Sequence, residues 1–312
     1  MAKTRRGRFP DHPLHPFNWG QLLTLAIVWA LGQLPWRMAL ALGRGLGRIG
    51  YYLARTRRRI ARRNLELCFP ALDDQARERL VRENLMFTGK GLVEMGLAWY
   101  GGPAVDRIPL DIHGMEHLHA AQADGRPVIL LSGHFTCVEM AARLLKSHVK
   151  LRAIYKPVEK KPVLNRAMER ARRRVNADIV PRDDVRSIIR TLKQGIPIWY
   201  AGDQDYGLRH SVFAPFFGIP AATITALTRF TRMSNARVVP LFFYSRPDHS
   251  GYEIIIQPAL EGFPTGDDVT DATRMNQIVE AAVRRHPAQY LWIHRRFKRQ
   301  EERGRNLYAT ER

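Results

Sequence analysis

The chain predicts an α/β fold: a mixed central β-sheet flanked by helices, behind an N-terminal helical membrane anchor. Three observations carry this. From about residue 107, short apolar runs alternate with amphipathic stretches, as strands do when helices cover them. Before that point the spacing of apolar residues is helical. At the start, an apolar run from Leu22 to Leu34 lies between Trp19 and Trp36, with aromatics at its ends as at a membrane interface.

The elements follow in order. Lys3, Arg5, Arg6 and Arg8 make a basic tail ahead of the apolar run. The run's core, Leu22 to Leu31, is short against the ~20 apolar residues of a spanning helix. It predicts an anchor that lies in the bilayer or crosses it, with a helix buried on the protein's own core as the alternative. Arginines from Arg37 to Arg63 follow at high density, as suits anionic headgroups and a body on the cytoplasmic side. Residues 1–36 are therefore expected to form tail and anchor. Residues 37–312 are expected to form the α/β domain, with 37–105 as its helical first part. Gly43, Gly47 and Gly50 lie at near-helical spacing and allow helices to approach closely. A basic helix is predicted over 55–70, and a longer one over about 73–100 with Asp73 and Asp74 at its start. Strands are predicted at 127–131, 151–155, 196–200, 237–244 and 252–257. Helices are predicted at 136–147, 162–175, 184–194, 221–234 and 270–286, and a surface loop at 261–270.

Charge limits the partners. Lys+Arg number 50 against 29 Asp+Glu, a net +21, so an anionic partner is expected: nucleic acid, acidic lipid, a phosphorylated substrate or an acidic protein. Cys68 and Cys137 are the two cysteines. They form no disulfide framework and no zinc-like cluster, so no metal site is expected from them.

The chemistry centres on His134. The apolar run Pro127 to Leu131 stops at Ser132-Gly133, and His134-Phe135-Thr136-Cys137-Val138-Glu139 follows. Imidazole is the usual base near neutral pH, and a carboxylate that orients it stabilises its cation. On a continuous helix, residues five apart point about 140° away from each other. Contact between His134 and Glu139 thus requires His134 to sit in the loop before the helix; a capping His beside a surface Glu is the plainer alternative. Cys137 offers a rival Cys/His nucleophile, or a small buried apolar residue. Asp203 and Asp205, after the strand candidate 196–200, either hold a divalent ion or, more simply, cap a turn and pair with arginine. Phe213, Phe216 and Phe217 are too dense for a simple strand, and line an acyl slot or fill the core. Tyr155-Lys156-Pro157 precedes a helix carrying Arg166, Arg170, Arg172, Arg173 and Arg174, a density that suits phosphate or an oxyanion. Gln289 to Lys298 mixes aromatics and cations, as a headgroup site does.

In this order the motifs resemble the lipid A biosynthesis acyltransferases that add a late lauroyl or palmitoleoyl group. The resemblance runs through Leu14-His15-Pro16, Arg63 to Pro70, Gly91 to Trp99, Gly114 to His117, the His134/Glu139 motif, Trp199 to Gly207, the Phe-rich stretch Ser211 to Gly218 and Gln289 to Lys298. It implies the lysophospholipid acyltransferase-like fold and an O-acyltransferase without cofactor. The donor would be a fatty acyl thioester on acidic acyl carrier protein. The acceptor would be a hydroxyacyl hydroxyl of a phosphorylated, Kdo-bearing lipid A precursor at the cytoplasmic face of the bacterial inner membrane. His134 would take the hydroxyl proton, Glu139 would orient it, and Arg172 or Arg174 would steady the oxyanion. Tyr155, Lys156, Asp203 and Asp205 remain substrate-site candidates. Lys156 stands where the family often has arginine, which loses the bidentate fork. These anionic partners account for the charge better than nucleic acid does. The same fold acting on another glycolipid or glycerophospholipid is the alternative.

Overall fold

The structure is a computed structural model that describes residues 12–175, 178–302 and 304–309. The basic tail at 3–8 lies outside them. The chain opens with α1 (Trp19–Gly32), α2 (Trp36–Leu53), α3 (Arg55–Cys68) and the long α4 (Asp74–Tyr100). Asp73 caps α4, its carboxylate accepting the Ala76 N–H at 2.6 Å. Both α1 and α2 pack on α4 through glycine. A Cβ on Gly47 would lie 2.3 Å from the Leu85 carbonyl oxygen, and one on Gly32 would lie 2.5 Å from that of Gly96. Only a residue without a side chain permits backbones this close. The expected close approach holds at Gly43 and Gly47, whereas Gly50 faces open space.

The remaining order is β1 (Leu110–His113), α5 (Met115–Gln122), β2 (Val128–Ser132), α6 (Val138–Leu145), β3 (Arg152–Tyr155), α7 (Pro162–Val175), β4 (Asp178–Pro181), α8 (Val185–Lys193), β5 (Ile198–Ala201), β6 (Ser211–Phe216), β7 (Ile219–Ile224), α9 (Ala226–Ser234), β8 (Arg237–Ser245), β9 (Tyr252–Ile256) and α10 (Asp268–Arg285). Seven strands form one sheet in the order β1-β9-β8-β2-β5-β3-β4. Every neighbouring pair is parallel except β8 with β9. Each residue of β2 is buried, as in a strand covered on both faces. Val128 and Leu130 join a core with Met140 and Leu144 of α6. Ile129 and Leu131 face Ile188 of α8, Leu227 of α9 and Met275 of α10.

Each predicted strand has its counterpart. The helix expected at 221–234 is a correction: β7 occupies its first residues and α9 begins at Ala226. A hairpin with β6 takes precedence over helical spacing, because Phe217 (φ 52°) and Gly218 (φ 75°) make a two-residue turn that pairs Phe216 with Ile219. The Phe-rich run is thus a strand after all.

The crossing form of the anchor also needs correction. Among the described residues no helix is long and apolar enough to cross a membrane. At 14 residues, α1 is about 21 Å long against a hydrocarbon core of ~30 Å. It lies along α4 and α7 instead, with Val28 buried among Trp99, Met168 and Ala171. Its other side exposes Leu23, Ile27 and Trp29, and α2 exposes Met38, Leu42, Leu46 and Ile49.

Candidate active site

Parallel strands present their loops at the carboxyl edge of the sheet, where ligands of open α/β sheets collect. The strands β2 and β5 are neighbours there, with Ser132 opposite Ala201. Continuing that register two residues beyond the strand ends brings His134 to Asp203. The Asp203 carboxylate accepts the His134 backbone N–H at 2.9 Å on Oδ2 and meets ring Nδ1 at 2.6 Å on Oδ1. The Tyr290 hydroxyl donates to Oδ2 at 2.8 Å. Burial opposes ionisation of Asp203, which is 1% exposed, but His134 and Tyr290 outweigh it and hold the carboxyl well below its usual range. The Tyr290 phenol is pushed up by its own burial and then by the Asp203 charge, so it stays a donor.

The loop after Pro287 closes this site from the other side. Leu291 N–H donates to the His134 carbonyl at 3.0 Å and Thr136 N–H to that of Gln289 at 2.9 Å. Two buried asparagines hold that loop. Asn64 of α3 donates to the carbonyls of Trp292 and His294, and Asn84 of α4 to those of Ala288 and Tyr290. The His134 side chain keeps 25% of its surface open and faces a narrow cleft with Gln204, Leu291, His294 and Arg296. The Trp199 ring stands edge-on to His134, centroids 6.4 Å apart.

Glu139 does not take the expected place beside the imidazole. Helix α6 begins at Val138, and from its first turn Glu139 reaches away to α7 and α4. Its Oε1 accepts from Arg172, through Nε at 3.2 Å and through a shorter contact with the terminal nitrogen, and its Oε2 accepts the Trp99 indole N–H at 2.9 Å. The partner of His134 is Asp203, 69 residues away in the chain. Sequence spacing favoured the nearby acid because it cannot weigh a contact made across two strands.

The other expected site residues divide. Arg172 joins Glu139, while Arg174 lies on the exposed side of α7 with Arg166, Arg170 and Arg173. The Tyr155 hydroxyl donates to Glu169 at 2.6 Å, and burial followed by that carboxylate pushes its phenol up. Lys156 is exposed. Asp205 accepts from Arg299 at 2.5 Å and from Gly207 N–H at 2.9 Å, the capping and pairing role, and the described residues hold no acidic or Cys/His cluster suited to a metal. Phe216 is fully buried against Tyr290 and Phe297. Phe217 packs on Phe69 and Trp292, and Phe213 is half-buried in the hairpin; for Phe216 and Phe217 the packing is that of core. Cys137 is buried, and burial pushes its thiol up to about 12. A thiol protonated at neutral pH is a poor nucleophile.

Tyr290, Asn64, Asn84 and Trp99 had no individual role in the sequence reading. Tyr290, Asn64 and Trp99 fall within motifs that carry the resemblance, whereas nothing there marked Asn84; the asparagines act through contacts between distant elements.

Comparison with known proteins identifies the family. The family described as bacterial lipid A biosynthesis acyltransferase matches residues 7–299. The chain is 36% identical over 300 residues to the lipid A biosynthesis lauroyltransferase of Escherichia coli (strain K12), covering 96% of this chain and 98% of that protein. It is 36% identical over 302 residues to the palmitoleoyltransferase of the same strain, with 96% and 98% covered. Identity to that strain's lipid A biosynthesis myristoyltransferase is 32% over 281 residues, covering 89% and 87%.

Proposed function

Because the chain belongs to the bacterial lipid A biosynthesis acyltransferase family, we propose that it moves a lauroyl or similar acyl group from an acyl carrier protein thioester to a hydroxyacyl hydroxyl of the phosphorylated, Kdo-bearing lipid A precursor. The observation that carries this reading is the contact between Asp203 and His134 Nδ1. An ionised carboxylate only accepts, so Nδ1 holds the proton and Nε2 has a free lone pair. Nε2 removes the proton of the acceptor hydroxyl as that oxygen attacks the thioester carbonyl. The tetrahedral intermediate then expels the carrier thiolate, and the imidazolium returns the proton to it. The thioester is already activated, so the cycle requires neither an acyl-enzyme nor a cofactor.

The pair of Glu139 and Arg172 supports an electrostatic role. Glu139 engages Nε and one terminal nitrogen of Arg172. The other terminal nitrogen keeps its donors, and a guanidinium held on one edge is pre-organised to meet an oxyanion on the other. Glu139 thus positions Arg172, a different task from the orientation of His134 that spacing suggested.

The test uses purified protein, acyl carrier protein thioesters of graded chain length and the Kdo-bearing precursor, with products read by mass. The expected product is the precursor plus one acyl group, formed best with one chain length. A protein that acylates only another glycolipid or a glycerophospholipid under these conditions would carry the same fold to a different function.

Attachment to the inner membrane, with the catalytic body on the cytoplasmic face, belongs to the same proposal. The apolar side chains on the outer faces of α1 and α2 lie beside exposed Arg37, Arg48, Arg55 and Arg59. An apolar face rimmed by cations suits a helix pair lying in the plane of an anionic bilayer. Replacing Ile27 and Leu46 by glutamate is expected to shift the protein out of the vesicle fraction in flotation with phosphatidylglycerol vesicles. Undiminished flotation would remove α1 and α2 as the contact.

A further inference from the structure

The outer face of α7 is a row of cations that the mechanism above does not use. Arg166, Arg170 and Arg174 recur every four residues and Arg173 lies beside them, all four exposed. They surround a shallow hollow of about 430 Å³ together with Glu169. Among the described residues that line it, Glu169 is the acid; its Oε1 accepts from the Tyr155 hydroxyl and from Asn165 Nδ2, each at 2.6 Å. Four guanidinium groups against that one carboxylate give the lining a net positive charge. The Tyr100 hydroxyl at the end of α4 feels both Arg170 and Arg174.

Two further contacts say what kind of anion fits. Helix α7 lies along α1: Gln21 Oε1 accepts the N–H groups of Val163 and Leu164 at 3.1 Å each, and Val28 shares a core with Met168 and Ala171. Away from that contact α1 exposes Leu23 and Ile27. A helix that bears the cationic row thus packs on a helix that exposes apolar side chains, and an amphiphile with an anionic head has a counterpart on each. On its inner side the same helix sends Arg172 to Glu139, so the row is rigidly linked to the proposed reaction centre.

We propose that Arg170 and Arg174, flanked by Arg166 and Arg173, seat a sugar phosphate of the glycolipid acceptor while its apolar body lies along α1. Guanidinium forks bind phosphate oxygens in pairs and fix the orientation of the group they hold. Seating the phosphate on α7 registers the acceptor so that one hydroxyacyl chain, rather than its neighbours, reaches His134. This inference rests on the acceptor assignment made above.

The test is made on two backgrounds. In the His134→Ala protein, binding of the phosphorylated precursor in detergent micelles is measured without turnover; in active protein, KM is measured for each substrate. The Arg170→Ser/Arg174→Ser variant is expected to raise Kd and acceptor KM by about tenfold or more, since two charge-assisted contacts are lost. KM for the acyl carrier thioester should not change. Arg170→Lys/Arg174→Lys should recover part of the loss, and precursor stripped of its phosphates should bind both proteins alike. An unchanged Kd overturns the proposal. So does a rise confined to thioester KM, which would assign the row to the acidic carrier protein, or an equal loss of binding to phosphatidylglycerol vesicles, which would assign it to bulk lipid. Wild-type protein that transfers acyl groups while the variant binds normally sinks this inference alone. Wild-type protein that binds the phosphorylated precursor through these arginines yet transfers nothing sinks the proposed reaction and leaves the seat standing.

Discussion

His134→Ala is expected to lower kcat by about 10²–10⁴-fold, the contribution typical of a positioned general base. The hydroxyl of the acceptor is a weak nucleophile until its proton leaves, and His134 combines a partly open ring with a carboxylate at 2.6 Å. Binding of both substrates should persist, since the substitution removes a proton acceptor and leaves the surrounding backbone ladder from Thr136 and Leu291 in place. The measurement is single-turnover acyl transfer, with membrane flotation and thermal unfolding as controls. Near-normal turnover would sink the mechanism. A retained fold with lost turnover would leave Cys137 nothing to explain, because its thiol is buried and protonated.

Asp203→Asn carries the second large effect, a loss of roughly 10³–10⁴-fold by analogy with other carboxylate–imidazole pairs. Asparagine is almost the same size, and its carbonyl can still accept the His134 N–H and the Tyr290 hydroxyl, so folding should be spared. What changes is the tautomer. An amide N–H turned toward Nδ1 makes that nitrogen the acceptor and moves the ring proton to Nε2, where it blocks the base. Nitrogen NMR of the imidazole reads this directly: the Nδ1–H form in the parent, the Nε2–H form in the variant. Glu139→Gln provides the contrast. It should impair transfer through Arg172 while the imidazole keeps its Nδ1–H tautomer. A tautomer that follows Glu139 and ignores Asp203 would restore the assignment drawn from spacing alone.

Much of the site was legible in the order of residues, and the part that was not shares one cause. A helix or strand is written locally, so β2 and the Gly133-His134 stop could be read from a dozen residues. The motif His134 to Glu139 places its two polar ends five residues apart, and that nearness suggested a pair. Whether they touch depends on the direction α6 takes from Val138, which is set by packing on α4 and by Arg172 on α7. Asp203 was visible as an acid after a strand. Its role needed the knowledge that β5 lies next to β2 in parallel register. The Phe-rich run went the same way: its density argued against a strand, yet the turn at Phe217 and Gly218 makes a hairpin that buries Phe216.

The sequence by itself determined the α/β class, the long helical entry, the strongly basic surface, the position of the histidine at a strand end and membership in an acyltransferase family through ordered motifs. Only the tertiary structure decided which acid meets the His134 ring, that the first helices lie along α4, and which arginines of α7 turn inward or outward. Local spacing sets what a segment becomes. Strand order and helix packing set which side chains meet, because those contacts join residues that are distant in the chain.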